Sequence, residues 1–230
     1  MAAARPHFTP ALFEFLGDLG RHNDRQWFLR NRGRYEEVVR DPAIHFIEDI
    51  EPRLRRISAH LVADPRPVGG SLFRIHRDIR FSTDKSPYKT NIGMSFGLDA
   101  GRGVPAPGFY VHIAPGASFV GGGVHMPDSA TLHRVRNAIV TDTRAWKRII
   151  TNAEFAPLFT NMGDTLKRAP QGFDADHPFV DDLKRKSYTW HGRYDEAAVC
   201  APGFLDDVTK SFRVAAPFMR FLAEALGDEW

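Results

Sequence analysis

The chain has 230 residues, of which 43% are hydrophobic and 18 are phenylalanine, and its formal net charge is +3 at pH 7. This length suffices for one large domain or two small ones, and folding should bury roughly 70% of the unfolded surface. The single cysteine, Cys200, excludes an internal disulfide and a cysteine-based zinc site. The sequence shows no secretory signal and no apolar run of about 18 residues, so we expect a cytoplasmic protein with no membrane partner.

The first 62 residues are predicted to form an N-terminal layer of helices. Thr9 and Pro10 have the order of an N-cap followed by proline at the first helical position. Asn23 begins a stretch with the spacing of a capping box, which predicts that it caps a second helix. From Ile44 to Leu61, apolar residues recur three and four positions apart, as they do on the buried face of a helix.

The apolar period changes to two after a turn-forming region at 63–70. Alternation of this kind is typical of strands with one buried face, so we expect a mainly antiparallel sheet within 71–126. In the first strand, the buried face should contain Phe73, Ile75, Ile79 and Phe81. The segments that alternate are 72–81, 90–98, 108–114 and 118–124.

Residues 128–230 are predicted to be mainly helical, with the sequence SYTW at 187–190 as a last strand. Asp182 and Lys184 match half of a nuclease motif, but they fall in a predicted helix, so we expect them to be solvated charges. The elements together indicate one α+β domain spanning 1–230. Along the chain we expect a helical N-terminal layer, a central, mainly antiparallel sheet and then C-terminal helices.

The charge imbalance of the chain lies in one short segment, 74–89. Five cations face two carboxylates there, which gives +3 and equals the formal charge of the whole chain. The cations are Arg74, Arg77, Arg80, Lys85 and Lys89, and the carboxylates are Asp78 and Asp84.

The second face of the predicted strands has the composition of an anion site. On the first strand it carries Arg74, Asp78 and Arg80, and the later strands add Tyr110 and His112. The neighbouring strand contributes small residues, which leave space above the sheet. Guanidinium groups around such a space could hold a carboxylate or a phosphate. The small residues are Asn91, Gly93, Ser95 and Gly97.

Individual roles follow from the chemistry of each side chain. Asp78 is a candidate general base and His112 a candidate proton-transfer group. Arg77 interrupts an apolar face, so it needs a partner, either Asp84 or a distant carboxylate. The candidate ligand-binding residues are Arg74, Arg77, Arg80, Asp84, Lys85, Tyr88 and Lys89, and the cofactor is left unknown.

A metal site is a weaker hypothesis. Among ten histidines, no His-x-His or His-Glu-x-x-His pair occurs. His76, His112 and His125 would converge only if their three strands were neighbours. We therefore assign no metal ligand.

The segment RIHRDIRFSTDKSPY at 74–88 resembles the signature of DUF2461, a family of uncharacterised bacterial proteins of about this length. Three other stretches are similar to further landmarks of that family: NDRQWFLRNRGRYEE, FYVHIAPG and APQGFDADHPFVDDLKRKSY. The resemblance extends over nearly the whole chain and implies a single-domain member of the family. It implies no activity.

Three functional hypotheses remain open from the sequence. The first is a binding or catalytic pocket for a small anion, phosphate or carboxylate, centred on 74–89. The second is a non-enzymatic module that binds nucleic acid or a protein partner, and the third is a purely structural network of charges. A concave site would favour the first hypothesis over the second. Protein partners for every charge would favour the third.

Overall fold

The computed structural model describes residues 5–80, 82–98, 106–159 and 164–230. Within these ranges the protein has the predicted α+β fold, which combines helices with a four-stranded antiparallel sheet. The strand order is β1-β2-β3-β4, so every strand pairs with its neighbour in the chain. The strands are β1 (Ile92–Gly97), β2 (Gly108–Ile113), β3 (Ser118–Val124) and β4 (Tyr188–Tyr194).

The N-terminal layer is helical, as predicted. Helix α1 begins after Thr9 with Pro10 at its first position, where the missing N–H of proline costs nothing. A short π-helical segment, Glu36–Arg40, leads into α4. The helices are α1 (Pro10–Arg21), α2 (Arg25–Arg30), α3 (Arg32–Tyr35) and α4 (Asp41–Leu54).

The cap of α2 is Asp24, and the prediction of Asn23 in that role is wrong. The Asp24 side chain accepts the N–H of Trp27 at 2.8 Å. Asn23 instead pairs with the backbone of Tyr88, 65 residues further along the chain. Its carboxamide donates to the Tyr88 carbonyl and accepts the Tyr88 N–H, each at 3.0 Å. This pair ties the start of α2 to the charged segment.

One face of the sheet is buried against the C-terminal helix α9 (Phe204–Leu226). Phe109 in β2 stacks on Phe212 in α9 with ring centroids 4.3 Å apart. The glycines of β3 permit close contact with β4. A Cβ at Gly123, where φ is +121°, would lie 2.0 Å from the Tyr188 carbonyl oxygen. The buried side chains of this face include Ile92, Met94, Phe96, Phe109, Val111, Ile113, Val120, Val124, Tyr188 and Trp190.

The other C-terminal helices surround α9. The helix predicted at about 178–186 is confined to the four residues of α7, because irregular chain precedes it and β4 follows closely. In the part of the chain that the structure describes, no helix is both long enough and apolar enough to cross a membrane. These helices are α5 (Ser129–Thr141), α6 (Thr143–Ile150), α7 (Val180–Leu183) and α8 (Glu196–Val199).

A cluster of charged residues is buried between α5, α6 and α7. The Arg136 guanidinium donates to the carbonyls of Leu183, at 2.7 Å, and Arg185, at 3.0 Å. Asp182 accepts from the Trp146 indole and from Arg185, both at 2.9 Å. Asp182 is only 8% exposed, so the expectation of a solvated charge is wrong there. We call Arg136, Asp182 and Arg185 the buried charge cluster.

The segment 72–81 is not a regular strand, and this prediction is wrong. Its start runs along β1, where the Phe73 N–H donates to the Gly93 carbonyl at 2.9 Å. The chain then leaves β1 and pairs with its own continuation, through Lys89 N–H to Ile75 O at 2.8 Å and Arg77 N–H to Pro87 O at 2.9 Å. In a regular antiparallel pair, residue 87 would also donate its N–H to the Arg77 carbonyl. Proline has no N–H, so this short ladder does not continue as a regular strand pair.

Burial along this segment departs from the predicted alternation because its backbone turns away from the sheet. Ile75 is buried at 7% exposure, as expected for the apolar face. Phe73 is 46% exposed, although it was assigned to the same face. Phe81, the last residue of that predicted face, lies outside the described residues.

Candidate functional site

A cavity of about 550 Å³ lies on the non-core face of the sheet, beside β1 and β2. Residues 73–91 form one wall, and β2 supplies the other. We call it the site cavity. Its lining residues are Phe73, Arg77, Asp78, Lys89, Thr90, Asn91, Tyr110 and His112.

The sheet positions the β2 residues as the alternation predicted. In the β1–β2 register, His112 lies opposite Gly93, and Tyr110 lies opposite Ser95. A Cβ at Gly93 would lie 2.5 Å from the Tyr110 hydroxyl. The small residue therefore makes room for the Tyr110 ring, which occupies part of the space expected to be open above the sheet.

The contacts of His112 favour one tautomer. Its Nδ1 lies 3.3 Å from the Tyr110 hydroxyl oxygen and 3.5 Å from Asn91 Nδ2. An amide nitrogen can only donate, so Nδ1 accepts and the ring proton lies on Nε2. Burial lowers the pKa of His112 and raises the pKa of Tyr110. At neutral pH both groups are therefore uncharged hydrogen-bond donors.

Lys89 carries a positive charge into the site cavity, and no described residue serves as its counter-ion. Its ammonium group forms no hydrogen bond or ion pair with any residue that the structure describes. Its nitrogen lies 5.5 Å from the centroid of the Phe73 ring. Burial and, to a smaller extent, the nearby charge of Arg74 lower the pKa of Lys89. Both effects act against the charged form, and a bound anion would offset them.

Arg77 is partly buried and paired. Its guanidinium forms an ion pair with Asp84, one of the partners expected from the sequence. The Arg77 side chain is 30% exposed, which is more than a core position would give. Hydrogen bonds from Ser86, and then the Arg77 charge, lower the pKa of Asp84 to about 2.

The structure places two other cations away from the lining. Arg80 holds the Asp78 carboxylate through two contacts, Nε–Oδ1 at 2.9 Å and Nη2–Oδ2 at 2.6 Å. This hydrogen bonding lowers the pKa of Asp78. Lys85 donates to the Ile79 carbonyl at 2.9 Å. Lys85 is therefore occupied by a backbone carbonyl, and Arg80 reaches the cavity only through Asp78, which is a lining residue.

The last two ligand-binding candidates also lie outside the lining. Arg74 is exposed and forms no hydrogen bond in the described chain, but it is close enough to influence the pKa values of Asp78 and Lys89. Tyr88 is buried at 4% exposure and stacks on Phe28 at 4.2 Å. It anchors the segment to α2, which leaves Lys89, the next residue, facing the cavity.

The weak hypothesis of a metal site formed by His76, His112 and His125 gains no support from their positions. His76 packs beside Phe28 and Tyr88, whereas His125 is exposed beyond the end of β3. Among the described residues, no group of three histidine, cysteine or acidic side chains could hold a metal ion.

Two lining residues, Phe73 and Thr90, were not predicted to belong to the site, and Asn91 was predicted there only as a small residue. Phe73 was assigned to the core, and its position follows from the departure of the chain from β1. Asn91 was regarded only as a small residue, although its amide reaches His112. Thr90 was not considered, although it is the first residue of the predicted segment 90–98. A donor-bearing pair directly before a strand is the sequence signal that could have identified both residues.

These features define an α+β protein in which Lys89 and Arg77 lie among polar side chains on the non-core face of the sheet. The chain belongs to the family DUF2461, described as a conserved hypothetical protein, which matches residues 11–221. The membership inferred from the 74–88 segment is thereby confirmed. A search of the curated proteins found no match.

Proposed function

We propose that the site cavity binds a small anion, either a phosphate or a carboxylate. The observation that carries the proposal is the Lys89 ammonium, which faces the cavity without a counter-ion among the described residues. Around it the lining offers neutral polar groups: the Asn91 amide, the Tyr110 hydroxyl and the His112 ring. Hydrogen bonds from charged donors to anionic oxygens are among the strongest in proteins.

The structural-network hypothesis accounts for only part of the charge. Arg77 is paired with Asp84, Arg80 with Asp78, and Lys85 with a backbone carbonyl. Lys89 and Arg74 have no such partner in the described chain. The segment therefore combines a paired scaffold with unpaired cations at and beside the cavity.

A nucleic-acid module is less well supported than a small-anion site. Phosphate contacts along a nucleic acid need cations spread over an extended surface. Here Lys89 and Arg77 are the cations that line the cavity, and Lys85 is occupied by a backbone carbonyl. A single concave site of this size suits one anionic group better than a chain of phosphates.

Anion binding should be visible as thermal stabilisation, because a ligand that binds only the native state raises its stability. We expect millimolar sulfate or phosphate to raise the melting temperature above the value in chloride at equal ionic strength. Chloride controls for screening and for general salt effects.

Two lysine variants test whether the response comes from the site cavity. Lys89→Met should remove most of the sulfate-induced shift, because it removes the ammonium that has no counter-ion. Lys210→Met makes the same change of net charge at an exposed position on α9, and it should keep the shift. An equal shift in chloride, or an undiminished shift in Lys89→Met, would contradict the proposal.

A further inference from the structure

A row of five rings lies on the non-core face of the sheet and leads into the site cavity. Neighbouring ring centroids are 5.8 Å apart for Phe73–Tyr110, 6.0 Å for Tyr110–His112 and 4.8 Å for His112–Phe119. Phe119 also contacts His191 edge-on at 6.2 Å. We call these residues, Phe73, Tyr110, His112, Phe119 and His191, the aromatic row.

The cavity end of the aromatic row is next to the cation. Phe73, Tyr110 and His112 all line the site cavity, and the Lys89 ammonium lies 5.5 Å from the Phe73 ring centroid. Phe73 is 46% exposed, whereas most phenylalanines in this chain are buried. An exposed ring beside a cation without a counter-ion presents both an apolar surface and a positive charge to the same cavity.

Gly93 allows two of these rings to lie against the sheet. A Cβ there would come within 2.5 Å of the Tyr110 hydroxyl and 3.1 Å of Phe73 Cδ2. Gly97 lies on the same face of the same strand, and a Cβ there would meet nothing within 4 Å. The rings of Tyr110 and Phe73, and not the strand itself, therefore require glycine at position 93.

We infer that the anion bound in the site cavity carries a flat aromatic ring. The inference rests on the proposed anion site and specifies its ligand class: an aromatic phosphate or carboxylate, the chemistry shared by nucleotides and aryl acids. The anionic group would lie at Lys89, and the ring would pack on Phe73 and Tyr110. A cavity of about 550 Å³ is within the range of small-molecule sites.

Matched pairs of anions separate the contribution of the ring from that of the charge. Phenyl phosphate is compared with methyl phosphate, and benzoate with acetate, by isothermal titration with the wild-type protein. We expect the ring to tighten binding at least about fivefold in one of the pairs, as a stacking contact worth about 1 kcal/mol would. The pair that shows the gain identifies the anionic group, and adenosine monophosphate then tests a nucleobase in place of the phenyl ring.

Glycine variants of β1 locate the ring. Gly93→Ala should displace Tyr110 and Phe73 and abolish the preference for the ring-bearing anion, whereas Gly97→Ala should retain it. Phe73→Leu, at an exposed position, tests the same contact if Gly93→Ala fails to fold. A second readout is the His112 Hε1 resonance, to which the ring current of bound phenyl phosphate should add a shift beyond the one that methyl phosphate produces.

The outcomes distinguish the inference from the proposal on which it rests. Equal affinity for both members of each pair, with all four anions binding, overturns the ring and keeps the anion site. A preference for phenyl phosphate that survives in both Gly93→Ala and Phe73→Leu also overturns the inference. Failure of all four anions, and of inorganic phosphate, to bind overturns both.

Discussion

The buried charge cluster and the charged segment at 74–89 solve the same physical problem in opposite ways. Arg136, Asp182 and Arg185 are enclosed, and backbone carbonyls, the Trp146 indole and the Asp182–Arg185 pair supply their partners. Lys89 is also withdrawn from water to the extent that its pKa is lowered, yet no counter-ion in the described chain accompanies it. The first arrangement gives most of its charged groups partners within the protein, and the second leaves the Lys89 ammonium available to a ligand, as the proposed anion site requires.

The difference separates structural charges from functional ones. A charge that folding withdraws from water is costly unless it is paired and hydrogen-bonded. Proteins keep unpaired charges where binding requires them and compensate for the cost elsewhere. Sign and sequence spacing do not distinguish the two cases here, because both regions contain arginines close to aspartates. The positions of the hydrogen-bond and ion-pair partners do distinguish them.

The largest expected effect is at the centre of the buried charge cluster. Asp182→Ala would leave the Arg185 guanidinium and the Trp146 N–H without their acceptor in a nearly closed environment. We expect a loss of about 3–5 kcal/mol in the free energy of unfolding, measured by urea denaturation. The matched control is Asp181→Ala, whose exposed carboxylate pairs only with Lys184 among the described contacts and should matter little. Equal losses in the two variants would show that the cluster is not structural.

A smaller effect is expected where the charged segment is anchored. Asn23→Ala removes two hydrogen bonds to the backbone of Tyr88, which is buried. With about 1 kcal/mol for each bond and some loss from unsatisfied groups, the free energy of unfolding should fall by about 2–3 kcal/mol. Because Lys89 follows Tyr88, the sulfate response should weaken as well.

Asp24→Ala is the control for this effect on the segment. It removes the cap of α2, at a cost of about 1 kcal/mol, but it does not touch Tyr88. It should therefore destabilise the protein while keeping the sulfate response. If both variants reduced the response equally, general loss of stability rather than anchoring would be the cause.

The helices and the regular sheet could be predicted because their signals are local. Periods of three to four and of two are properties of contiguous residues, and β1, β2 and β3 fall where the alternation indicated. The alternation at 72–81 was just as clear, but it formed only isolated bridges to Met94 and Tyr88. A regular strand also needs a continuous hydrogen-bonded partner. The pairing of this segment with residues 87–89 stops at Pro87, which has no N–H to donate.

The composition of the site was predictable in part for the same reason. Tyr110 and His112 follow from alternation alone, and charge counting identified the segment that supplies Arg77 and Lys89. The side-chain partners of these residues could not be predicted from the sequence. The Arg80–Asp78 contact spans only two residues, yet it depends on backbone geometry that no pattern specified. The Asn23–Tyr88 pair joins positions 65 residues apart, beyond the reach of any local signal.

The smallest expected effect concerns the pH dependence of anion binding. Because burial lowers the pKa of His112, the unfolded chain takes up a proton on this residue at a higher pH than the native protein does. Without anion, His112 should therefore lower stability as the pH falls through about 6.5, its unfolded value. Protonation also removes Nδ1 as the acceptor for Asn91 and Tyr110.

Bound sulfate should oppose this loss. A dianion beside Lys89 favours the imidazolium form of His112 and raises its pKa, so by linkage the anion binds more tightly when the ring is protonated. We expect the sulfate-induced rise in melting temperature to grow modestly from about pH 7.5 to about pH 5.5, a range in which sulfate keeps its charge. His112→Gln preserves a neutral donor and acceptor without titrating, so its sulfate response should stay flat. A response that grows equally in this variant would assign the effect to other histidines and place His112 outside the anion's reach.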